Sequence, residues 1–122
     1  MKIAVTSRGE TLDSEVDPRF GRAEYFLIGE LESMDFRAIE NKNVDAAGGA
    51  GINSAKVVTE AGAEAVLTGN CGPNAERTLR AAGVKLHTGA TGTVAQAIDL
   101  FRNGKLPQAD GPNVQSHFGT AN

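Results

Sequence analysis

Two rhythms of apolar and polar positions divide the chain. Up to Glu40 the apolar stretches are short and strand-like: Lys2 to Thr6, closed by the turn signal Thr6-Ser7-Arg8-Gly9, then Tyr25 to Ile28, then Phe36 to Glu40. The interval Gly29 to Asp35 predicts a hairpin with a loop of several residues, and the charged stretch Glu10 to Glu24, broken by Asp17-Pro18 and Gly21, reads as a loop. From Gly48 onward the pattern alternates helix and strand. Ala55, Val58 and Ala61 have helical spacing, Gly62 stops that helix, and Ala65-Val66-Leu67 reads as a short buried strand.

The helix–strand unit then repeats. Thr68-Gly69-Asn70-Cys71-Gly72 aligns with Thr88-Gly89-Ala90-Thr91-Gly92 at an offset of 20, and Gly62 and Gly83 stand 21 apart. Pro73 suits a first helical position, where no N–H is needed, and Thr93 with Gln96 predicts a capping box ahead of Ala97, Ile98, Leu100 and Phe101. Gly104 closes the last helix. Residues 1–105 therefore read as one α/β domain and residues 106–122, with little apolar periodicity, as a flexible tail carrying His117. Hairpin pairing of the first three strands, joined to parallel crossover units, predicts a mixed five-stranded sheet flanked by helices. Ligands of such sheets lie at the carboxyl ends of the parallel strands.

Composition adds one anomaly. Fifteen glycines in 122 residues is about 12%, against a usual share of roughly 7%. Twelve basic and 15 acidic residues give a formal net charge of −3, so no general basic footprint for nucleic acid or an anionic membrane exists, and an anion site must be local. No apolar run approaches a membrane span and no signal peptide is recognised, which places the expected protein in the cytoplasm. A single cysteine, Cys71, excludes an internal disulfide and the four thiolates of an ordinary iron–sulfur cluster.

Several chemistries fail on their residues. Gly49-Ala50-Gly51 lacks the third glycine and the ribose-binding acid of a dinucleotide fingerprint, no phosphate-binding G-x-x-x-x-G-K run exists, and the predicted central strands carry no paired carboxylates for two-metal hydrolysis. A triad of Ser7, His87 and Asp17 has no nucleophile elbow behind it. What remains is a crevice where Ser7, Arg8 and Gly9, the turn Gly69-Asn70-Cys71-Gly72 and the turn Gly89-Ala90-Thr91-Gly92 converge. Glycine turns that lead into helix N-termini present N–H donors and the positive end of a helix dipole, which favour an anion. The same glycines also serve as ordinary economical turns. Cys71 is either a thiolate of lowered pKa able to touch a soft metal or a small buried filler. His87 is either a metal ligand facing the crevice or a hydrogen-bonded structural histidine.

The segments Asp17-Pro18-Arg19-Phe20-Gly21-Arg22-Ala23, Gly49-Ala50-Gly51, Thr68-Gly69-Asn70-Cys71-Gly72-Pro73-Asn74-Ala75 and Thr88-Gly89-x-x-Gly92-Thr93-Val94 together resemble the dinitrogenase iron-molybdenum cofactor biosynthesis family over residues 1 to 105. The resemblance implies a ribonuclease H-like, three-layer fold without nuclease acids. It also implies a non-enzymatic protein that binds or carries an anionic molybdenum-containing sulfide cluster, of molybdenum–iron or molybdenum–copper type, and exchanges it with donor or acceptor proteins. Such a cluster brings its own sulfides, so its carrier needs N–H donors, a few cations and a shaped pocket rather than a set of cysteines. Arg8, Arg19 and Arg22 are the candidate cations, or else they balance the acids of a solvated loop; Phe20 either pins that loop to the core or covers the cluster. A regulatory module that binds a protein or a phosphorylated metabolite at the same helix ends is the alternative, and a redox enzyme using Cys71 a third.

Overall fold

The computed structural model describes residues 1–42 and 49–109. Its elements run β1 (Lys2–Ser7), β2 (Tyr25–Glu30), β3 (Asp35–Glu40), α1 (Ala50–Glu60), β4 (Ala65–Leu67), α2 (Pro73–Ala81), β5 (Lys85–His87) and α3 (Val94–Arg102). The five strands form one sheet in the order β3-β2-β1-β4-β5. β1 pairs antiparallel with β2 and β2 with β3, while β1–β4 and β4–β5 are parallel. This is the expected mixed sheet, with the strand order and directions of a ribonuclease H-like fold.

Side-chain alternation along the strands feeds two cores, one on each face. Ala4, Phe26, Ile28 and Val66 point to the face covered by α1 and α2, whose buried Ala55, Val58, Ala75 and Leu79 recur at helical spacing. Ile3, Val5, Leu27, Ala65 and Leu67 point to the other face, covered by Val94, Ala97 and Ile98 of α3. Three layers result, with β1 at the centre. Each helix ends on a glycine with positive φ, Gly62, Gly83 and Gly104, followed by a residue whose N–H reaches back to close the last turn, as in Ala63 to the Val58 carbonyl at 3.1 Å. Thr93 and Gln96 form the expected capping box on α3.

Two local expectations need correction, and the loop expected over residues 10–24 gains detail. The β2–β3 loop is only residues 31–34, because Gly29 belongs to the strand: a Cβ there would stand 2.6 Å from Cα of Phe36, its cross-strand partner. Residues 10–24 form no helix or long strand, yet they are stitched down by bridges between Ser7 and Val16, Glu15 and Thr93, and Arg19 and Asn70. The packed chain also continues past residue 105. Leu106 is buried, Gln108 bridges His87, and Ala109 N–H donates to the Leu86 carbonyl at 2.8 Å, so residues 106–109 form a strap along β5. Gly48, His117 and the rest of the tail lie outside the described residues.

Candidate functional site

The loop from Asp17 to Glu24 is organised by one carboxylate. Asp17 is fully buried; its carboxylate accepts from the N–H of Arg19 at 3.1 Å and of Glu24 at 3.3 Å, and from the Arg19 guanidinium at 3.3 and 3.4 Å. That ion pair raises the pKa of Arg19, first through the hydrogen bond and then through the charge of Asp17. Asn41 and Ser54 hold the loop from beneath by donating to the carbonyl of Gly21, and Asn41 also to that of Ala23. Phe20 is buried with its ring 5.7 Å from that of Phe26, so it pins the loop to the core. Arg22 is exposed.

This loop lies directly on the turn after β4. Asn70 N–H donates to the Pro18 carbonyl at 2.6 Å, Phe20 N–H returns to the Asn70 carbonyl at 3.1 Å, and a Cβ on Gly69 would come within 2.8 Å of Pro18 Cα. Gly69 is therefore required by close backbone packing. The loop and the turn after β4 are thus in contact, and the turn after β5 lies against the same turn through the Gly89 N–H, which donates to the Gly69 carbonyl at 3.0 Å.

The first N–H groups of α3 are committed. Val94 N–H donates to the Ser14 carbonyl, Ala95 N–H to that of Leu12, and Gln96 N–H to the Thr93 hydroxyl. These donors are spent on the acidic loop and on the capping Thr93, which corrects the expectation that they face a ligand. Gly89 and Ala90 donate to Gly69 and Thr68. Among the described residues, Thr91 and Gly92 have N–H groups with no acceptor.

Those two residues border a cleft of about 240 Å³ lined also by Arg8, Glu15, Val16, Pro18 and Ala90. It opens at the carboxyl ends of β1 and β5, the position expected for a mixed sheet. Arg8 is exposed and no ion pair engages it among the described residues. Ser7, in contrast, is buried, and its hydroxyl donates to the Gly9 carbonyl at 2.7 Å. Sequence patterning thus found the Arg8 and Thr91–Gly92 sides of the cleft. It missed the Glu15-Val16 side, which the bridges of Val16 to Ser7 and Glu15 to Thr93 and the bond from Val16 N–H to the Gly92 carbonyl bring in.

The two candidate metal ligands sit elsewhere. Cys71 is buried beside α2, and burial, aided by the charge of Glu76, pushes its thiol up to about 12. It is a protonated core residue rather than a thiolate of lowered pKa. His87 is buried against Phe101, ring centroids 4.8 Å apart, with Nδ1 2.8 Å from the Leu106 carbonyl. Among the described residues no group of three or more His, Cys, Asp or Glu is placed to hold a metal ion.

A family model described as dinitrogenase iron-molybdenum cofactor matches residues 1–104. The chain belongs to that family. It is 43% identical to the orange protein of Desulfovibrio gigas, whose apo structure superposes with a TM-score of 0.90 over 93% of this chain and 96% of the other. The NMR structure of a Thermotoga protein provisionally assigned as NifB is 41% identical, with a TM-score of 0.77 over 88% and 91% of the two chains. An uncharacterised protein of Methanocaldococcus jannaschii is 32% identical over 109 residues, covering 87% of this chain and 89% of its own. No helix among the described residues is long and apolar enough to cross a membrane.

Proposed function

We propose that this protein is a non-enzymatic carrier of an anionic molybdenum-containing sulfide cluster, of molybdenum–iron or molybdenum–copper type, which it exchanges with donor or acceptor proteins. The observation that carries the reading is the cleft lined by Arg8, Thr91 and Gly92: among the described residues the backbone N–H groups of Thr91 and Gly92 have no acceptor and the exposed Arg8 guanidinium stands in no ion pair. Family membership supplies the chemical class of the cargo. The donor set fits such a cargo. Terminal sulfides with net negative charge accept from N–H and guanidinium groups, and the cluster brings its own metal ligands, so the protonated state of Cys71 is no obstacle. At about 240 Å³ the cleft is smaller than the roughly 300 Å³ at which drug-sized pockets begin. A compact inorganic anion suits it better than a nucleotide.

Anaerobic reconstitution with tetrathiomolybdate, alone and with copper or iron, followed by desalting and metal analysis, tests this. The expected result is stoichiometric molybdenum with a charge-transfer absorption band, lowered by Arg8→Gln. Sub-stoichiometric metal under every condition overturns it, and a phosphorylated metabolite that raises the melting temperature where thiomolybdate does not favours the regulatory alternative.

A further inference from the structure

The cleft that suits an anion also contains a carboxylate. Glu15 lies directly across from Arg8: Ser7 bridges Val16, Arg8 N–H donates to the Glu15 carbonyl at 2.9 Å, and Asp17 N–H donates to the Thr6 carbonyl at 3.0 Å, which fixes an antiparallel register. Directly opposed residues in such a ladder have Cβ atoms about 5 Å apart and side chains on the same face. Both residues are exposed and both line the same cleft. Yet among the described residues neither belongs to an ion pair. Nearby, Arg19 is paired with Asp17, and Glu10 accepts a hydrogen bond from the Tyr25 hydroxyl. Arg8 therefore faces a carboxylate on the directly opposed residue, in the cleft a bound anion would use.

We infer that Glu15 is the built-in counterion of Arg8, competing with the anionic cargo for the guanidinium and thereby setting how strongly the cleft holds that cargo. This rests on the anion-carrier reading of the cleft. When the cleft is empty, the Glu15 carboxylate is placed to compensate the charge of Arg8 across it. When an anion enters, the carboxylate loses that partner and stands close to a like charge, so affinity is held below what the N–H donors and Arg8 would give alone. A carrier must release as well as hold, and an internal competitor lowers the barrier to release without a moving domain.

The test is titration of the full chain with tetrathiomolybdate under argon, with bound molybdenum measured by equilibrium dialysis, for wild type, Arg8→Gln, Glu15→Gln and the double variant. Exposed charge pairs of this kind change affinity by roughly two- to fivefold. Glu15→Gln is expected to tighten binding by that factor and to steepen its loss with added salt, because the remaining attraction is less compensated. In the Arg8→Gln background the gain should shrink. Melting temperatures of all variants report whether the fold is intact. If wild type binds and Glu15→Gln binds equally or more weakly, the proposal fails. An equal gain with and without Arg8 also overturns the competition, since direct repulsion then accounts for the effect. If wild type takes up no thiomolybdate, the carrier reading itself falls.

Discussion

Cys71 carries a buried thiol whose pKa is pushed up to about 12, chiefly by loss of hydration, and this makes two measurable statements. The native protein should react with no thiol reagent at pH 8, whereas one thiol appears in denaturant; an aromatic disulfide assay distinguishes the two. The pH dependence follows from the sign of the shift. An unfolded cysteine ionises near about 8.5, so the stability associated with the neutral buried thiol is full below that pH and is lost as pH rises from there toward 12. Urea midpoints should therefore fall from pH 8 to 10 in the wild type and fall less in Cys71→Ala. Asp17 has a different residue-scale role: by gathering two backbone N–H groups and a guanidinium, it converts a charged stretch into a fixed platform.

At the scale of elements, residues 106–109, the first four of the stretch that composition reads as a flexible tail, form a strap along β5. Leu106→Ala should cost about 2–5 kcal/mol, the range for truncating a buried leucine, and should release the Nδ1 contact of His87. Thermal unfolding combined with the His87 imidazole NMR signal checks both. Helix limits were legible because they rest on local rules: Gly62, Gly83 and Gly104 each take positive φ, and the Thr93–Gln96 box is read directly from four residues. The strap and the Gly29 position were not, since both depend on distant partners, β5 in one case and the ring of Phe36 in the other. The same limit explains the site. Repetition pointed to the turns after β4 and β5, of which the second borders the cleft, but which N–H groups remain available depends on where the acidic loop lays its carbonyls, and no spacing rule encodes that.

For the molecule as a whole, the decisive feature is that the first strand in the chain is the middle strand of the sheet. β1 completes its pairing only when Ile3, Ala4 and Val5 meet Ala65, Val66 and Leu67, a separation that makes the parallel half the non-local half of the fold. A fragment ending at Gly62 contains β1, β2, β3 and α1 and still lacks that partner, so it should show no cooperative thermal transition, whereas the full chain should show one; calorimetry decides. During synthesis, the ribosome must release more than half of the chain before the apolar edge of β1 can be covered. Until then the nascent protein exposes an open strand with Ile3 and Val5 toward any neighbour, and its yield in a cell will depend on how that interval is guarded.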